Sequence, residues 1–398
     1  MLNRDALREA TRLTRAGQLT EATALLQRML RGERAPASAS PAPSPISLPG
    51  RASDLIDLKA NSVSNADRAT PVEAPSASDA ARRRRSLLNR AKDGTWLGLR
   101  GAKKAPTSMT DIAPEGTKFM DGSYSDKAGN RTYKLFIPSG YYQGQPLPLV
   151  VMLHGCTQSP DDFAAGTRMN FIAEEQTCLV VYPAQPSSAN PSKCWNWFRP
   201  DDQRRDKGEP SLIAGITRQV MQDYSVDPKR IFVAGLSAGG AAAAVLGATY
   251  SDLYAAVGIH SGLAYGAADD MPSALAAMRQ GGGRGSRAVP DGATLPAIIF
   301  HGDSDAIVHP VNGGRAVEQA VGRIKTQKKV RCGQIPGGHS YTRTIYAEGE
   351  IEFLEHWNIH GAGHAWSGGS PAGSYTDPEG PDATKEMLRF FLKHPQRH

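Results

Sequence analysis

The sequence predicts an α/β fold, a mostly parallel sheet with helices on both faces, and three observations carry that reading. Strand-like and helix-like segments alternate over the C-terminal two thirds of the chain. A β-branched and aromatic run, Ile231-Phe232-Val233-Ala234, passes through Gly235-Leu236-Ser237-Ala238-Gly239 into a run of alanines, which reads as strand, sharp turn and helix. Downstream, an acidic loop follows one strand and a Gly-rich His loop follows another, where catalytic groups of such sheets gather.

In chain order, Leu2 to Arg31 carry Leu7, Leu13, Leu19, Leu25, Leu26, Met29 and Leu30 at near-helical intervals, broken at Ala16-Gly17-Gln18. A small helical hairpin over residues 1–32 is expected. Residues 33–112 are rich in Ala, Ser and Pro and contain Arg82-Arg83-Arg84-Arg85, a composition that buries too little surface to offset its ordering entropy. They are read as a linker. The four-arginine run is a candidate contact for an anionic surface, with a solvated charge run as the default. The folded domain is expected over residues 113–398, its texture changing near Thr117.

Within it, Tyr133–Pro138 and Leu147–Leu153 read as strands, Leu212–Tyr224 as a helix, Ile231 onward as a strand and Ala241–Ala248 as a helix. Strands follow at Ala255–Ile259, Ala297–Phe300 and Glu350–Ile359, with helices over Val311–Ile324 and Ala383–Lys393. The segment Met271–Pro296 reads as a mobile rim. Its Gly281–Gly285 run lacks the Lys-Ser/Thr ending of a phosphate loop.

Composition narrows the function classes. The chain has 398 residues, 40% of them apolar, enough for a sizeable core. The formal charge is +7, but residues 1–104 carry 19 Lys or Arg against 10 Asp or Glu, and the remainder carries 27 against 29. The basic excess sits in the leader, so no nucleic-acid partner is expected for the folded part. Four cysteines, Cys156, Cys178, Cys194 and Cys332, are too few for a disulfide scaffold and lack zinc spacing. The first thirty residues contain no apolar h-region, and no apolar run approaches the 18 or so residues of a membrane span.

The chemistry starts at Ser237. G-x-S-x-G is a nucleophile elbow, whose strained turn needs nearly bare neighbours two places before and after the Ser, here Gly235 and Gly239. The turn would aim the Ala238 amide at a developing oxyanion. Such a nucleophile needs a base and an acid to orient it. In His301-Gly302-Asp303-Ser304-Asp305-Ala306-Ile307-Val308, Asp305 is the preferred acid, because Ile307 and Val308 would anchor the loop behind it while Asp303 caps the turn. In His360-Gly361-Ala362-Gly363-His364, His364 is the preferred base. The two histidines are four apart, but the intervening glycines argue against a helix, and neither a metal nor an organic cofactor is expected. Ser237, Asp305, His364 is the chain order of α/β-hydrolases. The loop Leu153-His154-Gly155-Cys156-Thr157-Gln158 supplies the second oxyanion amide, that of Cys156. Cys156 and Cys194 could pair as a disulfide or stay as two buried thiols. Trp195, Trp197 and Trp366 lie in Gly-, Asn- and Pro-rich loops; Trp195 and Trp366 are read as substrate-binding and Trp197 as packing.

Four blocks together, HGCTQS at 154–159, KCWNWF at 193–198, GLSAGG at 235–240 and GHAWSGG at 363–369, resemble the esterase family of polyhydroxybutyrate depolymerases over roughly residues 115–395. The resemblance implies an α/β-hydrolase fold and a Ser-Asp-His triad acting on short-chain polyhydroxyalkanoates, with the roles just given to Ser237, Asp305, His364, Cys156 and Ala238. It further implies a polyester or small-ester substrate and an extracellular setting, with the cytoplasm as the alternative. The family is similar to feruloyl and acetylxylan esterases, which form the rival reading. A polyester-granule-binding protein without catalysis is a third.

Overall fold

A computed structural model describes residues 108–281, 289, 294–322 and 324–396. The expected hairpin over 1–32 and nearly all of the 33–112 linker lie outside the described residues. Described structure opens with α1 (Met109–Ile112), inside the stretch read as linker. Ile112 is buried and its carbonyl accepts a hydrogen bond from Asn170 Nδ2 at 2.9 Å, which ties this turn to the domain.

Ten strands form one sheet in the order β1-β2-β4-β3-β5-β6-β7-β10-β9-β8. Its parallel centre is β4 (Leu179–Pro183), β3 (Leu147–Leu153), β5 (Val226–Leu236), β6 (Ala256–His260), β7 (Ala297–Gly302) and β10 (Ile351–Ile359). Antiparallel strands flank it: β1 (Lys118–Asp126) and β2 (Gly129–Ile137) on one side, β9 (Ser340–Glu348) and β8 (Gln327–Gln334) on the other. Every residue of β3, β4, β6 and β7 is buried, which explains why these strands read as continuous apolar runs. The two-residue period sorts each strand between two cores. Leu147, Leu149, Val151 and Leu153 of β3 enter one core, with Ile213 and Ile216 of α4 (Gly208–Asp223) and most of α5 (Ala238–Thr249). Val150 and Met152 enter the other, with α2 (Pro160–Thr167), α3 (Met169–Glu175) and α8 (Ala383–Leu392).

The alanine run of α5 is buried all round, as a helix pressed between sheet and neighbours must be. Helix α8 starts at Asp382, whose side chain accepts from the Lys385 amide at 2.9 Å, and lays Phe391 flat on Phe232 with centroids 5.0 Å apart. Both rings are fully buried. Phe391→Ala should therefore destabilise the domain by about 3–5 kcal/mol, read as a lower urea midpoint at unchanged m; a change below about 1 kcal/mol would contradict this packing.

The observed helices match the expected ones to within a few residues. Part of the segment read as a mobile rim is a regular helix, α6 (Met271–Gln280), capped by Asp270, whose side chain accepts from the Ser273 amide at 2.8 Å. Helix α7 (Val311–Val321) follows β7. Outermost strand β8 is exposed along almost its whole length and carries Lys328, Lys329 and Arg331. No helix of the described residues is long and apolar enough to cross a membrane.

Candidate active site

Three loops at the carboxyl ends of β5, β7 and β10 converge at one edge of the sheet. At the end of β5, Ser237 has φ 59° and ψ −119°, a left-handed conformation costly for a side-chain-bearing residue. The glycines permit it: a Cβ on Gly235 would overlap the Gly239 backbone, and one on Gly239 would overlap the Leu153 carbonyl. Ser237 N donates to the His260 carbonyl at 2.9 Å, and its hydroxyl, though at the N-cap position of α5, makes no capping bond. That leaves the oxygen available to the cavity.

After β7, the Asp305 carboxylate is 4% exposed and saturated with donors. Its Oδ1 accepts from the amides of Ile307 and Val308 at 2.9 Å each, and its Oδ2 accepts from His364 Nδ1 at 2.7 Å. His301 Nε2 stands 3.4 Å from the same Oδ2 and donates to the Val308 carbonyl at 2.8 Å. Burial works against ionisation here, but the hydrogen bonds from His301 and His364 outweigh it and hold the carboxyl well below the usual range. Asp303, two residues earlier, serves a different histidine: its Oδ2 accepts from His360 Nδ1 at 2.9 Å and its Oδ1 from the Gly361 amide at 2.7 Å. One loop thus fastens the root of the His loop through Asp303 and its tip through Asp305. Because His360 and His364 engage different carboxylates, they do not converge on a shared ligand position.

His364 has its Nδ1 engaged by Asp305, and among the described residues its Nε2 has no hydrogen-bond partner. It lines the same cavity as Ser237, Cys156 and Ala238. Among the described residues no hydrogen bond joins the Ser237 hydroxyl to His364; catalytic contacts of this kind are commonly long before substrate binds and tighten in the complex.

The loop after β3 faces them. Gly155 N donates to Gln158 Oε1 at 2.8 Å, Gln158 Nε2 reaches the Ser374 carbonyl at 3.0 Å, and Thr157 N donates to the Ser192 carbonyl at 2.7 Å. Among the described residues the Cys156 amide has no hydrogen-bond partner, and the Ala238 amide, first in α5, has none within its helix. His154 Nδ1 donates to the Gly155 carbonyl at 2.8 Å while Nε2 accepts from Gln185 N at 3.1 Å. Burial drives its pKa down to about 4, so the ring is neutral and its tautomer fixed. Cys156 and Cys194 form a disulfide.

The cavity, about 170 Å³, is lined mainly by apolar groups: Trp197, Phe198, Leu263, Leu275 and Met278 among them. The structure corrects the aromatic assignments. Trp195 and Trp366 are removed from the substrate-binding set because both rings are buried away from the cavity, where each indole N–H finds a partner. Trp195 Nε1 donates to the His154 carbonyl at 3.0 Å, and Trp366 Nε1 to Thr384 Oγ1 at 2.9 Å. Trp197, read as packing, is the tryptophan at the cavity wall.

Two histidines escaped the sequence reading. His301 braces Asp305. His260 accepts from the Ser367 amide at 3.0 Å and stacks on Trp366, with burial lowering its pKa to about 3, so a neutral ring steadies the strand leaving the His loop. His301 had a signal, since it ends a strand directly before the acidic loop. His260 had none beyond its place at the end of β6.

Residues 131–330, half of the chain, match the family model described as Esterase PHB depolymerase. Poly(3-hydroxyalkanoate) depolymerase C of Paucimonas lemoignei is 32% identical over 252 residues, which cover 61% of this chain and 60% of that protein. Feruloyl esterase B of Thermothelomyces thermophilus is 27% identical over 271 residues, covering 64% and 89%. Among solved structures, an acetyl xylan esterase from Aspergillus awamori shares the fold with a TM-score of 0.55 at 20% identity, covering 68% of this chain and 98% of that one. With its elbow, its strand order and this family match, the chain belongs to the PHB depolymerase family of esterases, built on the α/β-hydrolase fold.

Proposed function

We propose that the protein is a serine hydrolase of carboxylic esters in which Ser237 is the nucleophile, His364 the general base and Asp305 the residue that orients it. His364 Nε2 takes the Ser237 hydroxyl proton as the oxygen attacks the ester carbonyl. The amides of Cys156 and Ala238 receive the oxyanion, and collapse expels the alcohol, which takes its proton from His364. Water, deprotonated by the same imidazole, then attacks the acyl-enzyme and releases the acid. The observation that carries this reading is the 2.7 Å bond from His364 Nδ1 to Asp305, in a cavity that Ser237 shares.

The substrate is a short-chain hydroxyalkanoate polyester or its oligomers. The apolar cavity supports an aliphatic acyl group, and the depolymerase relative supports the class. An aryl or sugar ester is the second reading, favoured by the 89% of feruloyl esterase B that this chain spans. Release of acid from poly(3-hydroxybutyrate) film, measured beside methyl ferulate and acetylated xylan, decides between them; turnover of the latter two alone would discard the polyester.

Leu275 and Met278 of α6 would then limit acyl length. Leu275→Trp should lower kcat/KM for p-nitrophenyl butyrate relative to the acetate by about tenfold or more, since a methylene in an apolar pocket is worth roughly 1–3 kcal/mol. An unchanged ratio would exclude α6 from the acyl site.

A further inference from the structure

A buried carboxylate outside the cavity is tied to the loop that carries one of the two proposed oxyanion amides. Glu209, in the first turn of α4, is 6% exposed and does not line the cavity. Its Oε2 accepts from the Asn196 amide at 2.7 Å; its Oε1 accepts from Asn196 Nδ2 at 2.7 Å and from Gln185 Nε2. Gln185 continues the chain in two directions: Nε2 also donates to the Cys194 carbonyl at 2.9 Å, and its amide donates to His154 Nε2 at 3.1 Å.

These bonds hold the 192–198 segment as a plate, and the plate holds the loop after β3. Ser192 takes the Thr157 amide, Trp195 reaches the His154 carbonyl, and Cys194 is bonded to Cys156 itself. Resting on the hydrolase reading, we infer that Glu209 is a positioning residue for the reaction, fixing the Cys156 amide at the oxyanion through Asn196, Gln185 and the Cys156–Cys194 link.

The donor set favours the ionised form. Asn196 N, Asn196 Nδ2 and Gln185 Nε2 all offer hydrogens, and each bond is stronger to a carboxylate than to a neutral carboxyl. The charged groups around it are Arg131 of β2, with Nη2 3.6 Å from Oε1, and Asp202, whose Oδ1 accepts from the Glu209 amide at 2.8 Å, with Arg199 and Asp201 beside Asp202. His154, beyond Gln185, stays neutral. Burial first, then Asp202, raise the Glu209 pKa to about 7 against the bonds from Asn196 and Gln185. The plate is therefore in its holding state above that pH and loses it as pH falls through it.

The test compares wild type with Glu209→Gln and Asn196→Ala on p-nitrophenyl butyrate across pH 5–9. In wild type, kcat should fall on the acid side by an added step of about tenfold near pH 7, where Glu209 takes up its proton, beyond the single-proton fall expected of a general base. Glu209→Gln should lower kcat by about tenfold at pH 8, where loss of a whole oxyanion donor would cost 10²–10³, with KM within about twofold and the added acid-side step absent. Asn196→Ala removes a bond that favours the carboxylate, so its acid limb should move to higher pH. A loss confined to KM, the added acid-side step retained in Glu209→Gln, or a stationary limb in Asn196→Ala overturns the inference. Should Glu209→Gln fail to fold, the Asn196→Ala limb decides alone. Fluorophosphonate labelling of Ser237 in the wild type keeps the two readings apart: labelled, active enzyme with unmoved variants defeats the role of Glu209 and leaves the hydrolase standing.

Discussion

Replacing Ser237 with alanine is expected to cut kcat for p-nitrophenyl butyrate by about 10⁶-fold, with the melting midpoint no lower than that of the parent. The magnitude follows from losing the only oxygen on the elbow that can become an acyl-enzyme, since removing a serine nucleophile from such triads costs on the order of 10⁶ in kcat. Residual hydrolysis, from the two amides and the cavity, should remain measurable above solvent. The alanine side chain is smaller and meets the same φ of 59°, so the turn persists. A loss of less than about 100-fold, or fluorophosphonate labelling that survives the substitution, would place the nucleophile elsewhere.

Asp305→Asn should cost on the order of 10⁴ in kcat with KM little changed. The carboxylate receives His364 Nδ1–H, which leaves the Nε2 lone pair for the serine proton. An asparagine can present N–H to Nδ1 instead, putting the ring hydrogen on Nε2, where it blocks the base. Asp303→Asn is the control. Its partners are His360 and the Gly361 amide at the surface, so kcat should change by less than about tenfold. If the two variants lost activity equally, the distinction between the root and the tip of the His loop would be wrong.

Legibility in the sequence followed the range of the interactions. The elbow is local: strand, glycines and helix lie within a dozen residues, and the overlap that demands Gly235 is set within that turn, although the Leu153 carbonyl that demands Gly239 belongs to β3. The buried parallel strands β3, β5, β6 and β7 were legible because burial leaves an unbroken apolar run; β4, equally buried, was not read. By contrast β8, Gln-Lys-Lys-Val-Arg-Cys-Gly-Gln, is exposed along almost its whole length and has no apolar period, so nothing distinguished it from loop. The tryptophans were misassigned for a related reason. Trp195 and Trp197 sit two apart in one loop, and which of them faces the cavity depends on the His154 carbonyl, 41 residues away from Trp195 in the chain. Glu209 likewise takes its meaning from partners 13 and 24 residues away in the chain, Asn196 and Gln185. The turn that holds Asp305 was legible because the amides of Ile307 and Val308, which close it, are adjacent in sequence.

The exposed β8 strand has a bearing on how the molecule behaves in a crowded solution. Among the described residues it ends the sheet, with no strand paired to its outer edge, and Val330 is largely exposed. Lys328, Lys329 and Arg331 line that same border, so two copies approaching edge to edge would bring like charges together as they began to zip. The cationic hem thereby guards against fibril-like growth, and salt high enough to screen it would weaken that guard.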